Sequence, residues 1–169
     1  MFAEILVLVA LPLILAAAAG WDIASFTIPN FLNLALLAVF AVFAVAAGLS
    51  FSAIGWHLLA GMIALAIGFT LFALGHIGGG DAKLFAAVVL WLGLKDFLPY
   101  ALLASLFGGL LALGLMILRR WPLPAFLVRH RWIVNLHDAK AGIPYGVALA
   151  AGAFFVLPST EIFRLAAGA

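Results

Sequence analysis

Apolar residues run along this chain in long, nearly unbroken stretches, at about 2–20, 31–49, 54–75, 82–94, 97–118 and 143–158. Short segments holding Gly, Pro and charged residues separate them. The stretches are too continuous for the alternation of a half-buried strand. They are also too long for the roughly ten-residue strands of an outer-membrane barrel. The pattern therefore predicts helices, one per stretch, with no internal repeat and no low-complexity linker.

Composition decides where those helices belong. Hydrophobic residues make up 69 % and charged residues 8 % of the 169 residues, against about 45–50 % and about 25 % in soluble domains. Eight Lys and Arg and six Asp and Glu cannot solvate the roughly 30 % of chain surface that a soluble fold of this size leaves wet. A soluble domain is excluded, and so is disorder, which needs the opposite composition. One spanning helix needs about 20 apolar residues, so the chain has room for five or six. The expectation is an all-α integral membrane protein, a bundle of about six transmembrane helices forming a single domain over 1–169. Its expected surroundings are the lipid bilayer. A formal charge of +2 is too small to suggest nucleic acid. With no cysteine there are no disulfides, thiolate chemistry or Cys-based zinc sites.

The first stretch could also be read as a secretory signal, but such a segment begins with positive charge. Here Glu4 is the only charged side chain before Trp21, and the first basic residue is Lys83. The stretch is therefore read as a membrane helix. Orientation follows from the basic residues. The polar stretch 119–141, between the fifth and sixth helices, carries Arg119, Arg120, Arg129, Arg131 and Lys140 and is placed in the cytoplasm. Counting spans from it puts Lys83 inside as well and leaves Lys95 and Arg164 outside. The same loop holds Trp121, Phe126 and Trp132, an aromatic and basic mixture suited to the inner membrane surface.

Six carboxylates remain. Glu4, Asp96 and Glu161 fall near outer helix ends, and Asp138 lies beside Lys140; all read as solvated. Asp22 follows the first helix, next to Trp21, a normal interfacial anchor. A short turn leads from it to Ile28-Pro29-Asn30, where Pro29 suits a first helical turn. Asp81 follows Gly78-Gly79-Gly80. Glycines cost about 1 kcal/mol each in a helix, so irregular backbone is expected there. The 13 residues from Ala82 to Leu94 make only about 20 Å of helix, which places Asp81 below the inner surface. An ionisable residue at that depth is a functional candidate. The plainer alternative is that the glycines allow close helix packing and Asp81 caps its helix. Both aspartates fall on the same side. Two carboxylates in a partly dry site do not both ionise easily. They can share one proton, so that one activates water while the other protonates a carbonyl oxygen.

Asp22 with Ile28-Pro29-Asn30, then Gly78-Gly79-Gly80-Asp81-Ala82-Lys83-Leu84, then Ile143-Pro144-Tyr145-Gly146 resembles the type IV prepilin peptidase family of GxGD membrane aspartic proteases. The resemblance covers nearly the whole chain, in order. It implies catalytic roles for Asp22 and Asp81, supported by Gly78, Gly80, Lys83, Pro29, Asn30, Pro144, Tyr145 and Gly146. It also implies prepilin or pseudopilin substrates with a basic leader, a Gly before the cut and an apolar helix after it. The expected place is the inner membrane, with the site facing the cytoplasm and with no cofactor or metal. Bifunctional members carry an extra cysteine-containing N-terminal region and methylate the new N-terminus. This chain is similar to the short, peptidase-only members of tight-adherence (Flp) pilus systems. Archaeal-type preflagellin peptidases are an alternative within the family.

Lys83 could pair with Asp81 or extend to the inner surface. His57 and His76 are expected on opposite sides, which favours packing roles over a shared metal. Two competing classes remain: a proton-coupled transporter, whose paired acids would relay protons, and a scaffold in which both acids are replaceable.

Overall fold

The computed structural model describes residues 2–167, all helix and connecting turns. Helix α1 is Phe2–Ser25, α2 Asn30–Ala46, α3 Phe51–Ala73, α4 Gly79–Leu92, α5 Leu94–Leu118, α6 Arg131–His137, α7 Tyr145–Val156 and α8 Glu161–Ala167. Three of them, α1, α3 and α5, are long and apolar enough to cross a membrane, with 24, 23 and 25 residues. The others are shorter. Helix α4 has 14 residues, about 21 Å of rise against a hydrocarbon core of about 30 Å.

Local chemistry sets the boundaries. Helix α1 widens to a π-helical turn over Leu6–Ala10, just before Pro12. The proline ring clashes with the carbonyl four residues back and donates no N–H, and a wide turn accommodates both. The helix continues past the expected end near residue 20 and closes at Phe26, a left-handed residue with φ 54°. Ser50 caps α3 by accepting from the Ala53 N–H at 3.2 Å, so α3 begins three residues earlier than the apolar run suggests. Two short helices, α6 and α8, fall in segments too polar or too brief for the apolar pattern to mark. Arg119, just after α5, ties down α6 and the turn that follows it, donating to the Leu136 and Gly142 carbonyls at 3.0 and 2.7 Å.

The arrangement is a short central helix inside longer ones. Leu84, Val88, Val89 and Trp91 of α4 are fully buried, and α2, α3, α5 and α7 all pack against it. Helices α3 and α5 instead expose Trp56, Met62, Phe69, Leu102, Leu106 and Leu113, a surface suited to hydrocarbon. Small residues bring α3 onto α4: a Cβ at Gly68 would lie 3.1 Å from Ala82 Cα, and one at Gly61 3.2 Å from Leu90 Cβ. The far end of α4 is pinned by polar contacts within apolar packing. Trp91 donates from its indole to the Leu36 carbonyl at 3.0 Å between Phe40 and Phe43. His57 bonds through Nδ1 to the Leu90 carbonyl at 2.8 Å. His57 is thus a packing residue at the end of α4 remote from Asp81.

Candidate active site

Asp22 lies in the last turn of α1 and is 4 % exposed. The expectation of an acid just beyond the helix is corrected, because α1 runs on to Ser25. Its Oδ2 accepts the Gly146 N–H at 2.6 Å. Gly146 is the second residue of α7, so the carboxylate faces a helix N-terminus, where free amides and the helix dipole favour negative charge. No side chain fits between them. A Cβ at 146 would lie 2.9 Å from Asp22 Oδ2 and 3.0 Å from Ile28 Cδ1.

Asp81 is the third residue of α4, and its Oδ2 accepts the Gly78 N–H at 3.2 Å. It closes the helix start through this backward bond from the third helical position, whereas the plainer sequence reading had Asp81 itself as the N-cap, a place that Gly78 takes. The expected irregular Gly78-Gly79-Gly80 segment is corrected: Gly78 precedes the helix, and Gly79 and Gly80 are already helical. In a first turn the amides have no intrahelical partner to lose. The need for glycine there is spatial. A Cβ at Gly80 would come within 3.2 Å of Ile28 Cβ and 3.3 Å of its backbone N, and one at Gly78 within 2.9 Å of Asp81 Oδ2.

Ile28 therefore touches both sides of the site. It lies against Gly80, next to Asp81, and against Gly146, which holds Asp22. Asp81 lies near enough to Asp22 to feel its charge. The ends of α1 and the starts of α4 and α7 thus meet at one place. A cavity of about 230 Å³ opens beside Asp81, lined by Tyr145, Phe85, Phe97, Ser105 and Leu149.

The other expected supports divide. Tyr145 lines the Asp81 cavity, and its ring packs on Gly108, where a Cβ would come within 2.6 Å. Pro144 and Pro29 each stand immediately before a helix and deliver the chain into α7 and α2. Pro29 thus precedes the first helical turn instead of lying in it. Lys83 does not pair with Asp81. It donates to Asn30 Oδ1 at 2.9 Å, because two residues along a helix turn the side chain about 200° away. Lys83 and Asn30 face a separate cavity. Sequence reasoning missed Gly108, which α5 uses to seat Tyr145, and it did not give Ile28 a role of its own. Among the described residues no three His, Asp or Glu side chains cluster as metal ligands would.

Helices of membrane-spanning length around a short buried helix, with two aspartates near one end of it, define a multi-pass membrane protein with candidate acidic residues at one site. Residues 9–113 match the model of the type IV leader peptidase family, and the chain belongs to that family. The matched stretch includes Asp22 and Gly78–Lys83 and ends before Pro144-Tyr145-Gly146. No curated protein and no solved structure matches the chain.

Proposed function

We propose that this protein is an aspartic-type leader peptidase that cuts prepilin-like precursors of the Flp kind at the cytoplasmic face of the inner membrane. Asp22 and Asp81 form the catalytic dyad. The supporting observation is the convergence of Asp22, Ile28, Gly80, Asp81 and Gly146 in a member of a leader peptidase family. In this reading α2, α4 and α7 complete six crossings with α1, α3 and α5. The end of α1 and the starts of α4 and α7 face the cytoplasm, on the side of the basic 119–141 loop.

The chemistry follows from one proton shared by two carboxylates. The ionised aspartate takes a proton from water as its oxygen bonds to the scissile carbonyl carbon. The protonated aspartate gives its proton to the carbonyl oxygen. When the resulting gem-diol collapses, one hydroxyl proton returns to a carboxylate. The other aspartate protonates the departing amide nitrogen as the C–N bond breaks. The pair ends with one proton, as it began. The Gly146 and Gly78 amides hold each carboxylate in place without competing as acids. The cavity beside Asp81 accepts apolar substrate atoms next to the cut.

The test is cleavage of a co-expressed pilin precursor. Asp22→Asn and Asp81→Asn each remove the shared proton while keeping shape, so each should abolish processing with the protein still inserted. Near wild-type processing by either variant overturns the dyad.

A further inference from the structure

A second cavity, about 480 Å³, opens between α2, α3 and α4 on the face of α4 turned away from Asp81. Its size is within the range of about 300–1,000 Å³ typical of small-molecule sites. Its chemistry changes in order along its length. At the site end, Lys83 donates to Asn30 Oδ1 at 2.9 Å. An ammonium has three donors, so it keeps capacity for an anion. One helical turn deeper, about 4.5 Å along α2, comes Asn33. It is 6 % exposed, and neither Nδ2 nor Oδ1 has a partner. Leaving such a group unsatisfied costs about 1–3 kcal/mol. Beyond Asn33 the walls are hydrocarbon: Leu37, Met62 and Leu90. Leu37 and Met62 are 45 % and 68 % exposed, so the cavity opens outward.

We propose that this cavity binds one glycerophospholipid. Its phosphate sits on Lys83, an ester carbonyl accepts from Asn33 Nδ2, and an acyl chain runs past Leu37, Met62 and Leu90. Cation, then amide, then hydrocarbon is the order in which a phospholipid presents phosphate, ester and chain. The proposal rests on the membrane placement of the chain and is independent of the peptidase chemistry.

Native mass spectrometry of the detergent-purified, delipidated protein provides the test. It is titrated separately with phosphatidylglycerol, diacylglycerol and inorganic phosphate. One phosphatidylglycerol should be retained per chain, about tenfold more than diacylglycerol at equal concentration, with no retained inorganic phosphate. Lys83→Gln and Asn33→Leu should each lower retention at least fivefold. Ala86→Leu narrows the cavity without touching either polar group and should lower it too, which keeps the test decisive if one variant fails to fold. Equal retention by the variants, or diacylglycerol bound as well as phosphatidylglycerol, overturns the proposal. Retention of inorganic phosphate alone also overturns it, because the acyl chain would then play no part.

Discussion

Replacing Gly146 by Ala separates the needs of the site from those of the fold. The added Cβ would lie 2.9 Å from Asp22 Oδ2, 3.1 Å from Asp22 Cβ and 3.0 Å from Ile28 Cδ1. Comfortable contact needs about 3.5 Å, so the carboxylate must retreat by roughly 0.5 Å, the tolerance to which a catalytic constellation is held. Its 2.6 Å bond to the residue 146 amide stretches or breaks. Overpacking costs about 1–3 kcal/mol, and weakening a bond to a charged group costs about 1.5–3 kcal/mol. Against this, Ala is favoured over Gly in a helix by up to about 1 kcal/mol. Net destabilisation should therefore be a few kcal/mol at most, and the protein should still fold. Misplacement of about 1 Å can cost about 10²-fold in rate, so cleavage should fall by one to two orders of magnitude. The assay is the initial rate of prepilin processing by purified protein, with thermal unfolding measured on the same samples. Gly114→Ala is the control, since a Cβ there meets nothing within 4 Å; it should cleave normally and melt slightly higher. A Gly146→Ala variant that cleaves within threefold of wild type would refute the assignment of Gly146 as the support of Asp22.

Under the proposed dyad, one shared proton makes cleavage depend on pH in both directions. At low pH both carboxyls are protonated and no base remains, and at high pH both are ionised and no acid remains, so initial rates should trace a bell; a rate that rises monotonically across the range would contradict the dyad. Gly80→Ala places a Cβ 3.2 Å from Ile28 Cβ and 3.3 Å from its backbone N. Backbone cannot yield as a side chain can, so this variant should lose most of its activity, and unchanged processing would remove Gly80 from the site. Single cysteines at 22, 81 and 130 should react with an impermeant thiol reagent applied from the cytoplasm, and one at 96 only from outside. Labelling of 22 and 81 from opposite sides would break the site apart.

What could be read from the sequence was what composition and order carry. Membrane character followed from the apolar excess, and the candidate site residues were named from the ordered motifs around Asp22, Asp81 and Gly146. Helix ends were less legible, because they depend on single contacts. Ser50 starts α3 early by one bond to the Ala53 amide, and Phe26 stops α1 late by entering the left-handed region. The glycines before Asp81 were legible as a motif but misread as conformation. Their role is clearance for Ile28, a residue 52 positions from Gly80 by sequence number. Lys83 shows the same limit. Two residues from Asp81 in sequence means nearly opposite faces of a helix, and its partner is Asn30.

The bond between Gly146 and Asp22 joins residues 124 positions apart, and under the proposed dyad this separation sets when the site can be complete. During synthesis Asp22 and Asp81 enter the membrane well before α7 exists. Until residue 146 emerges and α7 docks, the buried Asp22 lacks the amide that fixes it. A nascent or truncated chain ending before α7 thus carries both acids without a finished site. Under the proposed dyad, docking of α7 is the step that completes the site, and it falls late in the order of the chain.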